Sequence, residues 1–196
     1  MAVLAFTGLI ALYLDRPIAF LTRDPGPAVK ANECEFGFDC AAAGGLANVG
    51  YLVWAVTATI CFVGAWLSDA APRAWRSSPL LWAGLLTTIV MLDDIFQIHE
   101  AGAYGLVPHG KWVVPGLYGA MALALAVRFR WFFAAREAWL LVASAALFAL
   151  HFGFDEFLPG LHLLEDGSRF LGTVLWATFF VGAGLAALNG RVNRAP

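Results

Sequence analysis

The sequence predicts an all-α polytopic membrane protein, folded as a bundle of six transmembrane helices with both termini in the cytoplasm. Its residues are 61% hydrophobic and only 13% charged, whereas an average soluble domain has about 25% charged residues. The mean hydropathy is +0.74, and several continuous apolar runs approach the roughly 20 residues that cross a bilayer. We expect one integral membrane domain covering residues 1–196, with membrane lipids as its surroundings. A net charge of −2 without a basic patch gives no indication of a nucleic-acid partner.

Six apolar runs are assigned to the spans, at residues 1–14, 46–67, 80–98, 112–127, 138–154 and 170–188. The first run is short, but it lacks the basic flank and the cleavage site of a signal peptide. Pro17, Pro25 and Pro27 then predict an irregular loop over about residues 15–45. The other runs are separated by polar or Gly-rich linkers. The eight tryptophans lie mostly near span ends, which is typical of anchors at the membrane interface.

The distribution of arginines predicts the orientation. Short basic segments follow the second, fourth and sixth runs, with arginines at Arg73, Arg76, Arg128, Arg130, Arg136, Arg191 and Arg194. Basic loops stay in the cytoplasm, so the segments after the second, fourth and sixth runs should be cytoplasmic. The 15–45 loop follows the first run, and it should therefore face the exterior or periplasm of a cell or inner membrane. Cys34 and Cys40 lie in that loop, and an oxidising compartment would join them as a disulfide. A two-cysteine metal site is the alternative.

Polar residues concentrate where three of the spans reach the same, outer side. The segment VMLDDIFQIHE, at residues 90–100, places Asp93, Asp94, His99 and Glu100 at the end of an apolar run. Carboxylates inside such a run cost about 2.5–3.5 kcal/mol each at the centre of a membrane helix. The fifth span ends with a second polar set, and the sixth begins with a third. Their members include His151, Asp155, His162, Glu165 and Asp166.

Helical spacing indicates a metal site. Asp93, Gln97 and Glu100 would share one helix face, and His151 lies one turn from Asp155. Histidines and carboxylates one turn apart on facing helices are how di-metal carboxylate sites are built. The predicted metal ligands are Asp93, Asp94, His99, Glu100, His151, Asp155, Glu165 and Asp166. An excess of carboxylate over imidazole favours iron or manganese, and zinc with an open position is also compatible.

The resulting hypothesis is a divalent-metal enzyme, either a hydrolase or a di-iron oxidoreductase, acting on a lipid or another apolar small molecule. Two alternatives stay open. One is an ion- or proton-coupled transporter, in which membrane acids and histidines form a relay. The other is a non-catalytic subunit whose polar face contacts a partner in a larger membrane complex. The same polar residues could also form a structural network without metal, or be solvated at helix ends.

Overall fold

The computed structural model describes residues 18–22, 43–68, 78–98, 110–134, 137–158 and 161–189, and every regular element within them is a helix. The helices are α1 (Ile18–Thr22), α2 (Gly45–Ser68), α3 (Pro79–Phe96), α4 (Gly110–Arg128), α5 (Arg130–Ala134), α6 (Trp139–Phe157) and α7 (His162–Leu188). The predicted all-α class is therefore confirmed for this part of the chain.

Four helices in the described part of the chain are long and apolar enough to cross a membrane: α2, α3, α6 and α7. The 27 residues of α7 extend about 40 Å at 1.5 Å per residue. The fourth predicted span is apolar but shorter, at residues Trp112–Arg128. The first predicted span lies outside the described residues. These helices have the architecture of a multi-pass membrane protein.

Large apolar side chains cover the outside of the long helices. Leu52 and Trp66 on α2 are 66% and 77% exposed, and Val142 on α6 is 69% exposed. Soluble monomers rarely expose contiguous apolar surface on this scale. Lipid contact gives these side chains an apolar environment, so their exposure agrees with membrane insertion.

The end of α3 differs from the sequence prediction. Ser78 precedes the helix and Pro79 opens it, where a missing N–H leaves no hydrogen bond unmade. The helix ends at Phe96, because Gln97 adopts the left-handed conformation with φ 50° and ψ 42°, and its N–H donates to the carbonyl of Asp93. The helical repeat stops before Gln97, so the predicted face shared with Asp93 is wrong for Gln97. Glu100 itself lies outside the described residues.

The long loop predicted for about residues 15–45 contains a short helix. In α1, Phe20 and Leu21 are buried, and the Phe20 carbonyl accepts a hydrogen bond of 2.9 Å from Gly44 N–H. Gly44 has φ 66°, a conformation that favours glycine. The prolines predicted an irregular segment, but the apolar sequence IAFLT between them packs as a helical turn.

The chain divides into two compact units, which are described separately. The first comprises Met1–Leu52 with Val142–Leu175, and the second comprises Val53–Leu141 with Trp176–Pro196. In the second unit α3 packs against α4. Also in this unit, small residues let α2 and α7 approach closely, because a Cβ added at Gly184 would lie 2.5 Å from Ile60 Cγ2.

In the first unit α6 and α7 run together. The Ser144 hydroxyl on α6 donates to the Gly172 carbonyl on α7 over 2.8 Å. A Cβ added at Gly172 would lie 3.3 Å from the Phe148 ring. Helix α7 begins at His162, eight residues before the predicted start of the sixth span at residue 170, so the acidic residues before that span belong to the helix itself.

Candidate functional site

In the first unit, polar side chains gather where α6 ends and α7 begins. We call this group the Glu165 cluster; its members are His151 and Asp155 on α6 and His162, Glu165 and Asp166 on α7. Both helices are regular here, so His151 and Asp155 are one turn apart, and so are His162 and Glu165. The predicted i, i+4 and i, i+3 relations within these helices are confirmed.

Glu165 contacts both histidines, through different groups. Its backbone carbonyl lies 3.2 Å from His151 Nδ1, and its carboxylate Oε2 lies 3.4 Å from His162 Nδ1. The same carbonyl also accepts a 2.8 Å hydrogen bond from the Ser168 hydroxyl. A carbonyl oxygen can only accept, so the His151 contact is a hydrogen bond only if Nδ1 carries the proton. In a neutral imidazole the lone pair is then on Nε2.

Charge is concentrated around Glu165. The charges of Asp166, His162 and Asp155 all act electrostatically on its carboxyl group. Asp166 is 5% exposed, and the side chains of His162 and Glu165 are 31% and 17% exposed. Glu165 also lies in the first turn of α7, where the positive end of the helix dipole stabilises a carboxylate. Part of this acidic charge therefore has a structural role at the helix start.

A second polar group lies in the second unit and is called the Asp94 cluster: Trp54, Asp93, Asp94 and Tyr118. The indole Nε1 of Trp54 donates to Asp94 Oδ2 over 3.1 Å. The Tyr118 hydroxyl on α4 makes a side-chain hydrogen bond with Asp93. Asp93 is 4% exposed and Trp54 is 3% exposed, so these bonds join α3 to α2 and to α4 in the interior of the unit.

Trp176 and Thr87 extend the Asp94 cluster next to Trp54. Trp176 Nε1 on α7 donates to the Thr87 hydroxyl on α3 over 3.0 Å. The Trp176 ring packs edge-on against Trp54, with 6.2 Å between the ring centroids, and tilts against Phe180 at 4.8 Å. The interpretation of the tryptophans as interfacial anchors is therefore wrong for Trp54 and Trp176, whose indoles donate to polar atoms inside the unit.

The predicted metal ligands fall into three groups. His151, Asp155, Glu165 and Asp166 come together in the first unit, and Asp93 and Asp94 lie in the second. His99 and Glu100 lie outside the described residues, as do Cys34 and Cys40. Among the residues that the structure describes, no group of three or more His, Cys, Asp or Glu side chains is placed to hold a metal ion.

Sequence reasoning did not assign Tyr118, Trp54 and Trp176 to a polar site. A signal existed for Trp54, which lies nine residues into the 24-residue α2 and so away from its ends. Tyr118 lies eight residues into α4, which also places a polar hydroxyl within an apolar helix. A polar atom at such a depth in a membrane helix needs a hydrogen-bond partner. This requirement indicates that Trp54 and Tyr118 belong to a polar site.

Comparison with known families shows which family the chain belongs to. The model of a family described as a domain of unknown function, DUF8692, matches residues 1–183. The chain belongs to the DUF8692 family. No curated protein and no solved structure matches the chain. The DUF8692 match includes all members of the Glu165 and Asp94 clusters, so both polar groups lie within the family's domain.

Proposed function

We propose that this DUF8692 protein is an integral membrane metalloprotein that holds a divalent ion at the Glu165 cluster. The observation that carries the proposal is that both histidines of the cluster direct Nδ1 toward oxygen atoms of one residue, Glu165. Histidines that bind a metal through one ring nitrogen usually donate the other N–H to a carboxylate or a backbone carbonyl. In this proposal His151 and His162 each use Nδ1 in this way, and Nε2 of each would bind the ion.

The carboxylates supply the remaining ligands in this proposal. Asp155, Glu165 and Asp166 bring up to three negative charges together, and a divalent cation would offset their repulsion. The described residues are not yet arranged as a three-ligand group, so binding requires side-chain movement around Glu165. Sequence spacing adds His99 and Glu100 as further candidates. A donor set of carboxylates with two imidazoles is compatible with iron, manganese or zinc.

The chemistry that such an ion supplies is polarisation of a substrate oxygen or activation of a water molecule. The site lies at the ends of two apolar helices, where we expect molecules dissolved in the bilayer to reach it. We therefore propose a metal-dependent hydrolase or oxidoreductase whose substrate is a lipid or another apolar small molecule. Within the cluster, an Nε2 or a carboxylate oxygen that the ion does not use would act as the general base.

Metal analysis of matched variants tests this proposal. The protein is purified without chelator in nanodiscs, and its metal content is measured by mass spectrometry, followed by Co²⁺ titration of metal-free protein. We expect His162→Ala and Glu165→Gln to lower the Co²⁺ affinity at least tenfold, because loss of a ligand or of its orienting partner typically costs 10–100-fold. Asp94→Asn, in the other cluster, is the control and should leave the affinity unchanged.

Each alternative gives a different result. If Asp94→Asn also removes the metal, Asp93 and Asp94 belong to the same site, as the sequence predicted. If wild-type protein holds no transition metal and shows no Co²⁺ binding, the proposal is wrong. The hydrogen-bonded His–Glu–His set would then favour a proton-coupled transporter, or a non-catalytic subunit of a membrane complex.

We further propose six spans, with both termini in the cytoplasm and the Glu165 cluster near the outer, periplasmic face of a cell or inner membrane. The basic segments support this orientation. Glu137 before α6 and Leu161 before α7 are both exposed and test it. With Cys34 and Cys40 replaced by Ser, a cysteine introduced at Leu161 should react with an impermeant maleimide in intact cells, and one at Glu137 should not. The reverse labelling would contradict the orientation.

The same orientation predicts that Cys34 and Cys40 form a disulfide on the oxidising side. Without reduction, the intact native protein should then be about two protons lighter by mass spectrometry than after reduction. Two freely alkylated thiols in the native protein would contradict the disulfide. Cys61, which is buried in α2, should not react under native conditions.

A further inference from the structure

Two side chains of α6 place a polar atom within hydrogen-bonding distance of a backbone carbonyl of α7. Ser144 Oγ donates to the Gly172 carbonyl over 2.8 Å, and His151 Nδ1 lies 3.2 Å from the Glu165 carbonyl. Ser144 and His151 are seven residues apart on α6, and the two carbonyls are seven residues apart on α7, in the opposite order. The helices are therefore antiparallel in one register, and the two bonds lie about 10.5 Å apart along them at 1.5 Å per residue.

The residue that accepts the Ser144 hydrogen bond is a glycine, Gly172. A Cβ added at Gly172 would lie 3.3 Å from Cε1 and Cζ of Phe148, one turn from Ser144 on α6. Ser144 is fully buried, so its hydroxyl has the carbonyl of Gly172 as its partner in a closely packed seam. Small residues at such a seam let two membrane helices approach, and serine hydroxyls then bond across it.

We infer that Ser144 and Gly172 are positioning residues for His151: they fix the register of α6 against α7 at the separation that lets His151 Nδ1 reach the Glu165 carbonyl. Neither Ser144 nor Gly172 belongs to the Glu165 cluster, and neither is a proposed ligand of the ion. Their effect on the cluster is to fix which nitrogen of His151 is protonated and which one carries the lone pair. The inference deepens the proposed function, since it states how the ligand nitrogen of His151 is selected, but its primary readout needs no metal.

The test is the tautomer of His151, observed by ¹⁵N NMR of the imidazole in full-length, metal-free protein in nanodiscs. His151→Gln assigns the signals. Wild-type protein should show the Nδ1–H form of neutral His151. Gly172→Ala should move His151 toward the Nε2–H form that free histidine prefers, because the added methyl group would lie 3.3 Å from the Phe148 ring, and we expect α6 to shift by a few tenths of an ångström to relieve this contact. Ser144→Ala should shift the tautomer in the same direction.

Two matched variants separate this effect from general destabilisation. Gly182→Ala adds a methyl group on the same helix, at a position where no described atom lies within 4 Å, and should leave the tautomer unchanged. Phe148→Ala combined with Gly172→Ala removes the ring that the new methyl group meets, and should restore the Nδ1–H form. A His151 that stays in the Nδ1–H form in both Gly172→Ala and Ser144→Ala would overturn the inference.

Co²⁺ titration of the same variants distinguishes this inference from the proposed function. If wild-type protein binds Co²⁺, Gly172→Ala should weaken the affinity several-fold, and the double variant should recover it. An unchanged Co²⁺ affinity in Gly172→Ala, despite a changed tautomer, would also overturn the positioning role. If wild-type protein binds no Co²⁺ but the tautomer follows the pattern above, the positioning of His151 is supported and only the metal proposal fails.

Discussion

The close approach of α2 and α7 in the second unit predicts a large difference between two neighbouring glycines. A Cβ at Gly184 would lie 2.5 Å from Ile60 Cγ2 and 3.1 Å from the Ile60 carbonyl oxygen. At Gly182, two residues earlier on the same helix, no described atom lies within 4 Å of the added carbon. Gly184→Ala therefore adds a methyl group where it would overpack the interior, whereas Gly182→Ala adds the same group at an open site.

The expected magnitude follows from two terms. Overpacking a well-packed interior typically costs about 1–3 kcal/mol, and replacing glycine by alanine within a helix gains about 0.8–1 kcal/mol. The second term is shared by both variants and cancels in their difference. We therefore expect Gly184→Ala to be about 1–3 kcal/mol less stable than Gly182→Ala.

Reversible unfolding in mixed detergent and SDS micelles, followed by tryptophan fluorescence, measures this difference. Ile60→Ala removes Cγ2, so it should reduce the penalty of Gly184→Ala when the two are combined. Part of the penalty should remain, because the Ile60 carbonyl oxygen is still 3.1 Å from the added carbon. If Gly184→Ala and Gly182→Ala differ by less than about 0.5 kcal/mol, the described packing of α2 against α7 is wrong.

Two other predictions use the same unfolding measurement. Trp54→Phe keeps an aromatic ring but removes the N–H that donates to Asp94. It should lower the free energy of unfolding by about 0.5–2 kcal/mol, between the values for hydrogen bonds within membranes and for hydrogen bonds to charged groups. This loss of stability should be smaller in an Asp94→Asn background, and equal losses in both backgrounds would argue against the bond. Gln97→Gly should gain about 0.5–1 kcal/mol, because glycine adopts positive φ without strain from a Cβ. Gln97→Ala keeps the Cβ and is its control; an equal gain in both variants would show that strain is not the cause.

The outcome for α3 shows the limit of helical spacing as evidence. Periodicity placed Asp93, Gln97 and Glu100 on one face because it assumed that the helix continued. Gln97 adopts a left-handed conformation, so α3 ends at Phe96. No glycine or proline stands at this position to indicate in the sequence that the helix ends there. Asp93 is buried as expected of a carboxylate in an apolar run, but it bonds to Tyr118 on another helix.

The sequence by itself determined the class of this protein and the places where its polar chemistry is concentrated. Hydropathy and length act locally, residue by residue, so they predict which segments form apolar helices. The one-turn spacing of His151 with Asp155, and of His162 with Glu165, is local for the same reason. The polar ends of α6 and α7 are also evident in the sequence, because the acidic residues and histidines follow or precede apolar runs there.

Only the tertiary structure decided which polar atoms meet. The contact of His151 with the Glu165 carbonyl joins two helices, so the register between those helices decides it. Trp54 is a partner of Asp94 although 40 residues separate them. Such pairings are set by side-chain packing between helices, and this information is distributed over several segments of the chain.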